Sequence, residues 1–262
     1  LALQIVARRQ APDEVHVEVR EAHDPPTAEG LTGSPIIEGT VVFGDRYPES
    51  PQVGAFPLRS ERPSKWTPEQ LYTEGMFHGP SFQGVVSVDR WGEDGTEATL
   101  KVLPTDHLFQ SIPNPNFLTD PVLLDAAGQL VGYWTAEHLE TGFNVFPFRV
   151  EALHIYGPNL RQGELVKCRA YIALIGEWQV RSDIDVIGPD GRLHAQLVGW
   201  EDGRFNVPSG FYRLRISPRD ALLGTPWLTP IAGFPNLEAF CCCRLDGFST
   251  DFLEVHGMIW QR

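Results

Sequence analysis

The stretch Asp120–Trp134, DPVLLDAAGQLVGYW, limits what this chain can fold into more than any other. It is an apolar run that should disappear into a core, yet it carries a carboxylate, Asp125, and an amide, Gln129, four residues later on the same helical face. Burying a carboxylate costs several kcal/mol unless it is hydrogen-bonded or protonated, so an Asp in this setting points to a chemical task. Asp120 as N-cap and Pro121 at the first helical position start a helix that is predicted to run through about Leu139.

Strand patterns surround this helix. Residues 1–44 read as three strands: Leu3 and Ile5, then Val15, Val17 and Val19, alternate with polar residues, and PIIEGTVVF follows the Pro/Gly-rich loop Asp24–Gly33. No helix is predicted there, and a small sheet with an uncovered apolar face needs a partner element. LALQIVARRQ alternates from its first residue without an initiating Met, and EVHGMIWQR ends without a turn, so both termini are expected to be cuts in a longer polypeptide. Residues 45–67 hold Pro48, Pro51, Pro57 and Pro63 without periodicity and read as a linker or a crossover laid along a surface. A short helix is expected at Pro68–Tyr72 with Thr67 as its N-cap, followed by a strand around Val85–Trp91 with TEATLKVLP as its neighbour.

After the long helix, NVFPFRVEALHIYG, LVKCRAYIAL, WQVRSDIDVIG and GRLHAQLVGWE read as four strands, the last two joined by the turn Gly188-Pro189-Asp190-Gly191. Residues 221–262 read as a loop-rich tail or the start of a following region. The expected class is α+β, an antiparallel sheet wrapped around a central helix.

Composition excludes several functions. A net charge of −13 argues against nucleic acid or an anionic membrane as partner, and no basic run offsets it. No apolar run approaches the roughly 18 residues a membrane span requires. Cys168 stands alone and Cys241, Cys242 and Cys243 are adjacent, without zinc or redox spacing, which reads as reduced thiols of a cytoplasmic protein. His107, His138, His154 and His194 lack metal-ligand spacing, and neither GxGxxG nor a P-loop occurs, so no metal or nucleotide cofactor is implied.

Three ordered motifs carry a family resemblance. Gly75-Met76-Phe77-His78-Gly79-Pro80-Ser81-Phe82 is similar to GYxYGPxF, with Met76 and His78 in place of its tyrosines. Leu124-Asp125-Ala126-Ala127-Gly128-Gln129 matches DxxxQ/H, and Phe146-Pro147-Phe148 is similar to LPFxW without the Trp. Together they resemble the dehydratase domains of polyketide and polyunsaturated fatty acid synthases, which have a double hot-dog fold. The resemblance covers roughly residues 1–220 and implies that residues 1–44 are the last strands of a first hot-dog, incomplete at the N-terminus, and 68–220 a second. The family's HxxxGxxxxP base is not present in these residues; His23, followed by Asp24-Pro25-Pro26, fails the pattern.

The resemblance implies removal of water from a 3-hydroxyacyl thioester on an acyl carrier protein. Asp125 would be the general acid, its pKa raised by desolvation among Val122, Leu123, Leu124, Ala126 and Ala127. Gln129 would hold the Asp or the leaving oxygen in register. His78 reads either as a donor where the family places Tyr or as a structural histidine. Gly79, Pro80, Phe82, Phe146, Pro147 and Phe148 would line the acyl channel, the aromatic residues otherwise being core. No cofactor is expected beyond the carrier's phosphopantetheine arm, and the family suggests a homodimer among other synthase domains. Two further readings are a non-catalytic double hot-dog that binds an acyl chain or scaffolds a synthase, and an isomerase that shifts a double bond.

Overall fold

The computed structural model describes residues 3–21, 34–106, 108–109, 112, 114–139, 143–206, 227–231, 234–241 and 258–261. It divides into two compact units, Leu1–Pro48 and Glu49–Arg262.

In the first unit, β1 (Leu3–Ala11), β2 (Glu14–Glu21) and β3 (Ile37–Val42) form an antiparallel sheet in that order. Side chains alternate between faces, so the register decides what each face carries. Ile5 lies opposite Val19 and Val19 opposite Ile37, and the next row is Ala7, Val17 and Gly39, which makes one face apolar. The other face gathers Arg8, Glu18 and Arg20, where Glu18 accepts hydrogen bonds from Arg8 at 3.2 Å and Arg20 at 2.9 Å. The apolar face is open: Ile5 is 71% and Ile37 64% exposed. The loop Asp24–Gly33 and His23 lie outside the described residues.

The second unit is a hot-dog. A seven-stranded antiparallel sheet runs β4 (Val85–Gly92), β5 (Gly95–Lys101), β8 (Leu165–Ile175), β9 (Gln179–Ile187), β10 (Leu193–Asn206), β6 (Phe143–Arg149), with β7 (Ala152–Ile155) also on β10. It curls around α1 (Pro121–His138). Asp120 caps α1 as expected, its carboxylate accepting from the N–H groups of Val122 at 2.9 Å and Leu123 at 3.0 Å. Strand β8 alternates, with Val166, Cys168, Ala170 and Ile172 turned in against Ala126, Leu130 and Trp134 of the helix. Each large side chain buried there contributes roughly 1.5–3 kcal/mol relative to exposure. Cys168 is a buried free thiol, and burial pushes its pKa up.

Three local expectations are corrected. The stretch 144–157 is two strands, because β10 bulges between Leu197 and Trp200: Gly199 takes φ +60° and turns its N–H onto Asp183 at 2.7 Å. One half of β10 therefore pairs β7 and the other β6. The short helix lies at Leu71–Gly75 and starts from Gln70 without a side-chain cap; bonds from Gly75 N–H to Gln70 O and Met76 N–H to Leu71 O widen it into a five-residue turn. Residues 221–262, read as a loop-rich tail or the start of a following region, are not all loop: they contain β11 (Trp227–Ile231), β12 (Phe234–Cys241) and β13 (Met258–Gln261), an antiparallel sheet; Cys242 and Cys243 lie outside the described residues. The predicted turn at Gly188–Gly191 is present, with Gly191 at φ +79° and its N–H on Gly188 O at 3.0 Å.

The proline-rich segment is a strap on the second unit. Ser50 donates to Leu193 O at 2.9 Å, Phe56 packs edge-on to Tyr171, and Arg62 exchanges two backbone bonds of 2.9 Å with Trp91. Glu137, near the end of α1, accepts from Arg62, from Ser64 Oγ at 2.7 Å and from Lys65 N–H at 3.0 Å.

Candidate active site

Helix α1 has a half-open stripe at Pro121, Leu124, Asp125, Gly128 and Gly132, while Val122, Leu123, Ala126, Ala127 and Leu130 are buried. Asp125 sits on the stripe, with its side chain 39% exposed. The expectation that apolar neighbours enclose it is corrected. At 100° per residue, those neighbours point into the sheet and leave the carboxylate at the helix edge. Gln129, one turn on, is buried as expected.

Gln129 is the hub of the polar network. Its Nε2 donates to Asp125 Oδ2 at 2.8 Å and to Phe82 O at 2.9 Å, and its Oε1 accepts from the Tyr72 hydroxyl at 2.8 Å. His78 comes from the segment before the turn Pro80–Phe82, and its Nε2 stands 3.5 Å from Asp125 Oδ2. The imidazole is stacked on Phe77, with ring centroids 4.6 Å apart, and Phe77 lies 6.1 Å from Phe146. Gln83 Nε2 donates to His78 O at 2.9 Å and closes the segment on itself. Two chain regions far apart in sequence thus deliver an imidazole, a carboxylate and an oriented amide to one place.

The first and second motifs meet here, and Phe146 of the third reaches them through Phe77. Gly79 and Pro80 are exposed and form the turn that presents Phe82 O; Pro147 and Phe148 are exposed on β6. Among the described residues no group of His, Cys, Asp and Glu has the geometry to hold a metal ion.

Residues 50–220 match the family model described as the polyketide synthase dehydratase N-terminal domain. The chain belongs to the polyketide synthase dehydratase family. Solved structures with the same fold include the dehydratase domain from the CurJ module of curacin polyketide synthase, 18% identical over 78% of this chain and 68% of that one, with TM-score 0.51. The dehydratase domain of PpsC from Mycobacterium tuberculosis is 15% identical over 78% and 67%, with TM-score 0.53. A GphF DH1 variant described as isomerase-inactive is 12% identical over 79% and 68%, with TM-score 0.52. At these identities the likeness is one of fold.

Within this dehydratase-family site, three residues escaped the sequence reading. Tyr72 was visible only as part of a short helix, yet its hydroxyl bonds Gln129 and accepts the Val85 N–H at 2.7 Å; burial raises its pKa, so it remains a neutral phenol. The Trp200 ring lies against α1 where a Cβ at Gly128 would be 2.8 Å from it, so only glycine admits it. Its indole N–H donates to Asp202 Oδ2 at 2.8 Å. Asp202 is 2% exposed, and burial outweighs the indole bond and pushes its pKa up to about 7. A carboxylate in a strand beside a Trp carries no sequence pattern that distinguishes it from a surface acid.

Proposed function

We propose that this chain carries the acid half of a dehydratase site in a polyketide or polyunsaturated fatty acid synthase, acting on a 3-hydroxyacyl thioester held by the phosphopantetheine arm of an acyl carrier protein. A base from outside these residues takes the α-proton, and the electron pair left behind forms the double bond to the β-carbon. The carbon–oxygen bond breaks, Asp125 gives its proton to the leaving hydroxyl, and water departs from the enoyl thioester. No cofactor beyond the carrier arm takes part.

The observation that carries this reading is the junction of Asp125, Gln129 and His78: a carboxyl group open to a substrate, held by an amide, with an imidazole on the same oxygen. General acid–base chemistry requires such a group within hydrogen-bond reach of the reacting oxygen and reachable by it. Partial exposure of Asp125 supports access by a carrier-bound chain, and Phe77, Phe82 and Phe146 offer apolar surface beside it. His78 contributes a second polar contact to Oδ2, in the position of a family tyrosine. The surrounding polypeptide is a cytoplasmic multidomain synthase that works as a homodimer. No helix among the described residues is long and apolar enough to cross a membrane.

The test compares this chain with a version extended upstream, each given a 3-hydroxyacyl carrier-protein substrate and assayed for enoyl product by mass spectrometry. Product from the extended protein is expected, and Asp125→Asn should reduce turnover by about 10²-fold or more with unchanged circular dichroism. Absence of product from the extended protein sinks the dehydratase reading; undiminished turnover in Asp125→Asn removes Asp125 from the acid role.

A further inference from the structure

The Gln129 amide has one polarity, and Tyr72 helps to impose it. The Val85 N–H donates to the Tyr72 oxygen at 2.7 Å, which leaves the single phenolic hydrogen to be donated to Gln129 Oε1 at 2.8 Å. The amide NH₂ then has its two hydrogens for Phe82 O at 2.9 Å and Asp125 Oδ2 at 2.8 Å. A reversed amide would set its oxygen against two acceptors and its hydrogens against the phenol. Tyr72 is 57 residues from Gln129 in sequence, and that amide links its hydroxyl to Asp125.

We propose that Tyr72 is a positioning residue for Asp125: through Gln129 it commits Oδ2 to accepting hydrogen bonds, and it leaves Oδ1 as the oxygen that carries and delivers the proton. His78, the titratable group facing Asp125 from the Pro80–Phe82 side, stands 3.5 Å from the same Oδ2 and reinforces that assignment. The delivery step rests on Asp125 being the proton donor of a dehydratase; the control of Oδ2 by Tyr72 does not. Without the phenol, Gln129 Oε1 and the Val85 N–H both lose their partner, and the amide is no longer held with its hydrogens on the carboxylate.

The experiment follows the Gln129 side-chain NH₂ protons by NMR in the full chain, assigned by their loss in Gln129→Met. Wild type should show two distinct, slowly exchanging resonances, and in Tyr72→Phe their exchange with solvent should quicken by about tenfold or more. In the extended protein, Tyr72→Phe should lower kcat about tenfold while KM changes little. Unchanged Gln129 NH₂ shifts and exchange in Tyr72→Phe overturn the proposal even if activity or stability falls, since a purely structural tyrosine would behave that way. Altered NH₂ resonances in a protein that forms no enoyl product uphold the Tyr72 role and defeat the dehydratase reading instead. Should Tyr72→Phe not fold, the wild-type Gln129 NH₂ protons decide: Asp125→Asn should shift one of them, and insensitivity of both overturns the proposal.

Discussion

The two sheets are written in the same code and have different fates. In β1–β3 the apolar residues alternate and line up across the register as Ile5, Val19 and Ile37, yet that face is open. In β8 the same alternation sends Val166, Cys168, Ala170 and Ile172 into a core, because α1 supplies the second layer. Alternation specifies which face is apolar; it does not supply what covers it. The two regions also handle carboxylates differently. Glu18 sits among arginines, and the hydrogen bond from Arg20 holds its carboxyl below the usual range. Asp202 has an indole for company and is pushed the other way.

The contrast is sharpest at Trp134, 1% exposed, with its indole N–H on Gly92 O at 2.8 Å and its ring stacked on His138. Trp134→Ala should cost about 3–5 kcal/mol, read as a fall in the urea midpoint. A loss below about 1 kcal/mol would mean that the helix-covered sheet is no better packed than the open one.

Asp202 comes next. Its native pKa of about 7 lies above its ordinary 3.8, so between those values the folded protein holds a proton that the unfolded chain releases. That contribution is complete below about pH 4 and is lost as the pH rises through 7. Asp202→Asn, which keeps an acceptor for the Trp200 indole, should therefore gain stability relative to wild type between pH 5 and pH 8, on the order of 2 kcal/mol. Parallel stability–pH curves for the two proteins would remove the buried-acid half of the comparison.

The smallest effect belongs to the open face. Ile37→Thr should change stability by no more than about 0.5 kcal/mol in this chain, because little apolar area is lost from a core. A cost approaching that of Trp134→Ala would show the face to be covered in solution, and the contrast would fail.

Most of the architecture was legible because it is local. The Asp120-Pro121 start, the 3.6-residue periodicity to His138, the alternation of β8 and β9 and the Gly188–Gly191 turn each depend on neighbours within a few residues, and all four stand in the structure. Where long-range pairing intervened, the reading slipped. The split of 144–157 into β6 and β7 follows from a bulge about fifty residues away in β10.

The same division runs through the candidate site. Sequence by itself placed Asp125 and Gln129 one turn apart on one face, since helical spacing is a property of the backbone, and the ordered motifs identified the family. It put Asp125 in the wrong solvent environment, because an apolar run in sequence is not an apolar shell in space: the helix turns those neighbours into the sheet and leaves the carboxylate at its edge. The approach of His78, the polarity of the Gln129 amide and the anchoring of that amide by Tyr72 and Phe82 were decided by tertiary structure alone. Hydrogen bonds between residues dozens of positions apart exist only once the sheet has curled around the helix, and no local pattern records them.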